Sequence, residues 1–300
     1  MTSTKLLFEF NRLKIMHDMN AEILNYVDAP TRYIEGDGIR YAYRSLGKQS
    51  GIPIVCLQHF TGTLDNWDPI IINGLAKERP VITIDNTGIG NSGGTTPDNV
   101  QDMTRDAIKI ITALGISKCD LLGFSIGGFI AQTLAVTRPD LFRKIILVGT
   151  APQGAVALHS FPQLVEKAFS FDREEGFLYI FATKSEKSRA KLTAALNRLM
   201  ERKNDRDKET ALPSIQAQIK ALTRWGTDPI TLNLVEVRQP VLIVQGSNDE
   251  MMRSRTTSQQ LFERIPNAVL VCYPDSGHGA FFQYPEMFVD QANFFLNHFE

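Results

Sequence analysis

Six short stretches of this chain are almost unbroken in apolar character: residues 52–57, 81–85, 120–124, 144–148, 241–245 and 268–273. A strand with one wet face alternates polar and apolar residues. An unbroken run of strand length suits a strand buried on both faces, and so a sheet covered by helices on both sides. Helical patterns fill the gaps, at residues 100–114, 126–137, 254–265 and 286–299. Parallel neighbours need such crossovers, so the expected class is α/β with a mainly parallel sheet. Two further strands, at residues 32–35 and 39–46, flank Gly36-Asp37-Gly38, a hairpin signal, and bring the expected number to eight.

The rhythm stops between residues 151 and 232. Instead of buried strands there are charged helical patterns such as KSEKSRAKLTAALNRLMERKNDRDKE. This reads as a helical lid inserted after the sixth strand, dividing the core into residues 31–150 and 233–300. Residues 1–30 form an N-terminal extension, with Leu6, Phe10 and Leu13 at helical spacing. A chain of 300 residues can bury such a core without staples.

Composition narrows the partners. The net charge of −1 offers no electrostatic reason to bind nucleic acid or an anionic membrane. Glu9, Arg12 and Lys14 interrupt any apolar core of a secretory signal, and no stretch approaches the ~20 apolar residues of a membrane span. A soluble cytoplasmic protein acting on a small molecule is expected. Its oligomeric state is left open, a homodimer included. Cys56, Cys119 and Cys272 lie in or beside strand-like runs, without metal or redox spacing, and read as small buried hydrophobes. No metal ligand cluster, flavin motif or nicotinamide motif is seen, so no cofactor is expected.

The most specific motif follows the run DLLGF. Gly123-Phe124-Ser125-Ile126-Gly127 is G-x-S-x-G between a strand and an apolar helix. Glycines allow close approach around a sharp turn, and the helix N-terminus favours negative charge near Ser125. Ser125 is therefore the candidate nucleophile.

With this motif in place, the chain from about Thr31 to its C-terminus resembles the α/β-hydrolase family. The resemblance implies the other roles. Asp275-Ser276-Gly277-His278-Gly279, after the last strand, looks like the family's histidine loop and makes His278 the general base. Gly246-Ser247-Asn248-Asp249, after the seventh strand, resembles its G-x-x-D turn and makes Asp249 the acid, with adjacent Glu250 as rival. After the third strand, Gln58-His59-Phe60 stands where the family shows His-Gly-X. That implies oxyanion donors at the backbone N–H of Phe60 and of Ile126, with Gln58 in the His place and His59 in the Gly place. The stretch from Asp85 to Ser92 matches the family's D-x-x-G-x-G-x-S loop and reads as structural; Trp67 reads as core or pocket wall.

A serine, histidine and aspartate with two such donors suit attack on a carbonyl. Hydrolysis of a small apolar carboxylic ester, lactone or thioester through an acyl-enzyme is the expected chemistry. Two alternatives stand beside it. One is a perhydrolase (non-haem haloperoxidase-like) or carbon–carbon bond hydrolase on the same residues. The other is a binding protein of the same fold with little turnover. In the lid, Phe161, Phe169, Phe171, Phe177, Tyr179, Phe181 and Trp225 are expected to supply apolar pocket walls or to pack the lid on the sheet.

Overall fold

The short apolar runs become the middle of one eight-stranded sheet in the computed structural model, which describes residues 25–299. The strands are β1 (Arg32–Gly36), β2 (Ile39–Gly47), β3 (Ile54–Leu57), β4 (Pro80–Ile84), β5 (Cys119–Phe124), β6 (Phe142–Val148), β7 (Val241–Gly246) and β8 (Ala268–Tyr273). Their spatial order is β1-β2-β4-β3-β5-β6-β7-β8. β1 pairs antiparallel with β2, and β2 antiparallel with β4; every other pairing is parallel. The β1–β2 turn has positive φ at Asp37 (50°) and Gly38 (74°), the geometry that a tight hairpin demands.

The helices of the described residues are α1 (Pro69–Ala76), α2 (Val100–Ala113), α3 (Ile126–Thr137), α4 (Phe161–Phe169), α5 (Arg173–Phe181), α6 (Glu186–Leu199), α7 (Leu212–Thr227), α8 (Ser254–Arg264), α9 (Ala280–Gln283) and α10 (Pro285–His298). Alternate residues of each central strand serve opposite cores. Val55, Leu57 and Leu121 pack with α2, α3 and α7, through Ile110, Phe129 and Leu222 among others. Ile54, Cys56, Leu122 and Phe124 pack with α1 and α10, through Ile71 and Phe288 among others. Both faces are covered, as the apolar runs require.

β8 departs from this pattern. It is an edge strand and only its last residue is buried, so Cys272 is exposed, contrary to its reading as a buried hydrophobe. The short apolar run at an edge marks a strand but does not show that both of its faces are covered. Helix α1, capped by Asp68 and opened by Pro69, was not singled out in the sequence. The helical expectation on Leu6, Phe10 and Leu13 lies outside the described residues.

Helices α4 to α7 occupy the chain between β6 and β7. The segment joining α6 to α7 is held to the sheet by buried charge. Arg44 of β2 is fully enclosed, with Nη1 2.8 Å from Asp65 Oδ1. Asp65 Oδ2 accepts the Asp207 N–H at 2.8 Å and lies 3.5 Å from Arg206 Nε. Arg202 donates to the carbonyls of Val27 (2.7 Å) and Ala29 (2.8 Å), and Arg198 pairs with Asp68 at 2.6 Å. Part of the charged stretch at residues 184–209 is thus an inward-facing clamp.

Removing one partner of a buried ion pair leaves the other charge without compensation. Asp65→Ala should therefore lower unfolding stability by about 3 to 5 kcal/mol, read from the urea midpoint. Asp140→Ala, which breaks an exposed pair with Arg138, should leave that midpoint where it is.

Candidate active site

The carboxyl ends of parallel strands β3, β5, β7 and β8 open at one edge, and each feeds a loop that carries a residue singled out in the sequence. Ligand sites of parallel sheets characteristically lie at such an edge.

β5 ends at Phe124 and α3 begins at Ile126, leaving Ser125 alone to reverse the chain at φ 56°, ψ −117°. Such a conformation costs of order 1–3 kcal/mol and persists only where its surroundings hold it. Here the Ser125 N–H donates to Val148 O at 2.9 Å, and Ser125 O accepts from Gly128 N at 2.8 Å and Thr150 Oγ1 at 3.0 Å. Gly127 is required by contact: a Cβ there would stand 2.2 Å from the Leu57 carbonyl oxygen. The serine hydroxyl makes no capping bond to its own helix.

The β7 and β8 loops are tied together. Ser247 N donates to Tyr273 O and Asn248 N to Ser276 O, both at 2.9 Å. Between them His278 Nδ1 lies 2.8 Å from Asp249 Oδ2, with both side chains buried. A carboxylate only accepts, so Nδ1 carries a proton, which leaves Nε2 as the nitrogen that can take or give one. The other carboxylate oxygen accepts the Met252 N–H at 3.0 Å, which sets the plane of the acid. Glu250, the sequence rival, is exposed and holds no such place. The His278 ring is flanked by Phe124 (centroids 5.2 Å apart) and Phe181 (5.7 Å).

Ser125 and His278 line one cavity of about 60 Å³ together with His59, Phe60, Phe161, Val165, Ile180 and Met251. Among the described residues no hydrogen bond joins Ser125 to His278. The Phe60 and Ile126 amides, the expected oxyanion donors, likewise have no acceptor among the described residues. A second cavity, about 460 Å³, shares His278, Leu164, Ile180 and Met251 with the first as lining; Thr183, Lys184, Arg189, Asn248 and Glu250 contribute its polar wall.

The structure divides the aromatics of the inserted helices between core and cavity. Trp225 faces the core, stacked on Phe129 at 5.0 Å with Nε1 donating to Ala151 O. Phe171 pairs with Tyr179 at 5.4 Å, and exposed Tyr179 lines the larger cavity. Phe161, Phe169 and Phe181 do reach the small cavity. Sequence reasoning missed Val165, Ile180 and Met251, which carry no motif and reach the cavity only through helix placement. It also missed Asp275, which accepts from Ser185 Oγ (2.6 Å) and Thr183 Oγ1 (2.8 Å), bonds that hold its carboxyl below the usual range and join the histidine loop to the inserted helices. Asp85, opening the glycine-rich loop, accepts from Leu64 N and Asn91 N, as a structural role requires. Trp67 is core, edge-on to Phe281.

The fold and this site define a hydrolase of the α/β type. The chain belongs to the alpha/beta hydrolase fold family, whose model matches residues 52–285. A solved alpha/beta hydrolase fold protein from Chitinophaga pinensis is 53% identical, superposes with a TM-score of 0.90, and is matched over 92% of this chain and 100% of that one. A Haemophilus influenzae protein provisionally named an esterase/lipase is 24% identical, over 86% of this chain and 88% of its own length. A Bacillus subtilis protein provisionally named 2-succinyl-6-hydroxy-2,4-cyclohexadiene-1-carboxylate synthase is 26% identical, over 87% and 96%.

His59 is buried and neutral. Burial pushes its pKa down to about 4, against a hydrogen bond to the Phe60 carbonyl that opposes the shift, with neighbouring His278 adding to it. Between pH 6.5 and 4 the unfolded chain therefore binds a proton that the folded chain refuses. Stability from this group is complete above pH 6.5 and is lost as pH falls toward 4, by up to about 3 kcal/mol. Urea unfolding from pH 7 to pH 4 should show a shallower loss of stability in His59→Phe than in the parent. Parallel curves would refute the burial argument.

Proposed function

We propose that the protein is a serine hydrolase cleaving a carboxylic ester, lactone or thioester with a small apolar acyl group, through an acyl-enzyme. The observation that carries this reading is the buried Asp249–His278 hydrogen bond, placed so that the imidazole lines the same cavity as a serine on a strained turn.

On this reading His278 Nε2 takes the proton from Ser125 Oγ as that oxygen attacks the carbonyl carbon. Asp249 stabilises the imidazolium and holds its orientation. The Phe60 and Ile126 N–H groups receive the developing oxyanion, each contributing on the order of 3 kcal/mol. His278 then returns its proton to the departing oxygen or sulfur. Water, deprotonated by the same ring, attacks the acyl-enzyme, and its collapse releases the acid and restores Ser125. The reaction requires Ser125 and His278 to close to hydrogen-bond distance in the substrate complex. Free enzymes often hold this contact long.

Chemistry also orients the substrate. The general acid must face the leaving group, so the leaving group belongs on the His278 side, toward the larger and more polar cavity. The acyl group belongs in the 60 Å³ cavity, whose walls are mainly apolar.

A fluorophosphonate probe should label the parent at Ser125, located by peptide mapping, and should leave Ser125→Ala unlabelled. Ser125→Ala and His278→Ala should each lower kcat on aryl esters by about 10⁴-fold or more, and Asp249→Asn by a comparable factor, with urea unfolding showing that each remains folded. Parent-like esterase rates in any of these variants would remove that residue from the mechanism.

A further inference from the structure

His59 is a buried imidazole beside the reacting atoms that the mechanism above does not use. By the family resemblance it stands where a glycine is usual, so its ring occupies space that the family leaves open. In the structure it lines the small cavity with Ser125 and His278. Its ring meets Phe124 and Phe181 edge-on, with centroids 5.2 and 5.5 Å away, and the same two rings flank His278.

Its tautomer follows from one contact. Nδ1 lies 2.7 Å from the carbonyl oxygen of Phe60. A carbonyl only accepts, so Nδ1 holds the proton and Nε2 presents a lone pair. Among the described residues Nε2 has no partner, yet it does not count among the fully enclosed polar atoms that lack one. It is therefore not fully enclosed, on a residue that lines the small cavity. An acceptor in a mainly apolar pocket is costly until a donor meets it. Burial keeps the ring neutral, so it remains an acceptor at neutral pH.

We propose that His59 Nε2 is a specificity-determining acceptor for a hydroxyl carried by the acyl group beside the scissile carbonyl, which makes 2-hydroxyacyl esters or thioesters the preferred substrate class. The inference rests on the serine-hydrolase reading above. The Phe60 N–H, next along the chain, is the donor proposed for the carbonyl oxygen. Both residues line the cavity that holds Ser125, which offers the acceptor on residue 59 to the acyl group close to the carbonyl carbon. A site built around such a hydroxyl discriminates against the analogue that lacks it, because the acceptor is then left unpaired.

The test compares phenyl glycolate with phenyl propanoate, in which a methyl group replaces the hydroxyl. The two kcat/KM values are each divided by the ester's rate of alkaline hydrolysis to remove intrinsic reactivity. In the parent this corrected ratio should favour glycolate by about tenfold or more. His59→Phe keeps a flat ring and loses the acceptor, and should bring the ratio to about one. His59→Gln can set its side-chain oxygen near the Nε2 position and should recover much of the preference. A role in packing alone would change both rates together and leave the ratio intact. A parent ratio near one, or a ratio unchanged in His59→Phe, overturns the proposal; if that variant does not fold, the parent ratio and the Gln variant decide. Fluorophosphonate labelling separates the two readings. An unlabelled parent brings down the serine mechanism and this inference with it, whereas a labelled parent without glycolate preference brings down this inference alone.

Discussion

The single-residue reversal at Ser125 is the constraint around which the rest of the structure is arranged. A serine at φ 56° has no intrinsic reason to stay there, and the chain spends contacts from three directions to keep it. Val148 at the end of β6 and Thr150 just beyond it hold its backbone, Gly128 closes the first helical turn, and Gly127 lets α3 lie against the end of β3. The reversal also puts Ser125 where the N-terminal amides of α3 have no helical acceptor. The same bend that brings the serine to the cavity therefore supplies part of the electrostatic setting that the proposed chemistry needs.

The partner groups are organised by a different device. Asp249 and His278 lie on separate loops, and backbone hydrogen bonds between those loops set their relative position before any side chain meets. The inserted helices then close over the pair. Phe181 packs on His278, Asp275 binds Thr183 and Ser185, and the Gly279 N–H donates to the Phe181 carbonyl at 2.9 Å. The Arg44–Asp65–Arg206 group fixes the segment joining α6 to α7 to the sheet. Burying those charges has an electrostatic cost, and their attraction offsets it only while every partner is present. The inserted segment is thus tied to the histidine loop around residues 181–185 and to β2 and the loop after β3 around Arg206.

Much of the fold was legible because strands buried on both faces leave a simple imprint. The five central runs and the helices expected at residues 100–114, 126–137, 254–265 and 286–299 read within two residues of their observed bounds, while α1 left no reading. β8 was legible as a strand but not as an edge, because whether a neighbour covers Cys272 is not a property of the run itself. Ser125 was legible from residue types and setting, since a sharp strand-to-helix turn restricts which residues fit. Asp249 and His278 were legible only through resemblance, as single residues in turns that any chain could carry. Val165, Ile180 and Met251 left no signal, because lining a cavity depends on how one helix rests on another.

Alone, the sequence determined the layers, the parallel core and the residue at the reversal. These follow from local rules: apolar period, turn chemistry and the conformations that glycine permits. Only the tertiary structure decided that Asp249 rather than Glu250 meets the imidazole, that Trp225 belongs to the core, and that His59 brings a neutral acceptor to the cavity. Those outcomes depend on distances between segments far apart in the chain. Such distances are set by the packing of whole elements, and no local pattern encodes them.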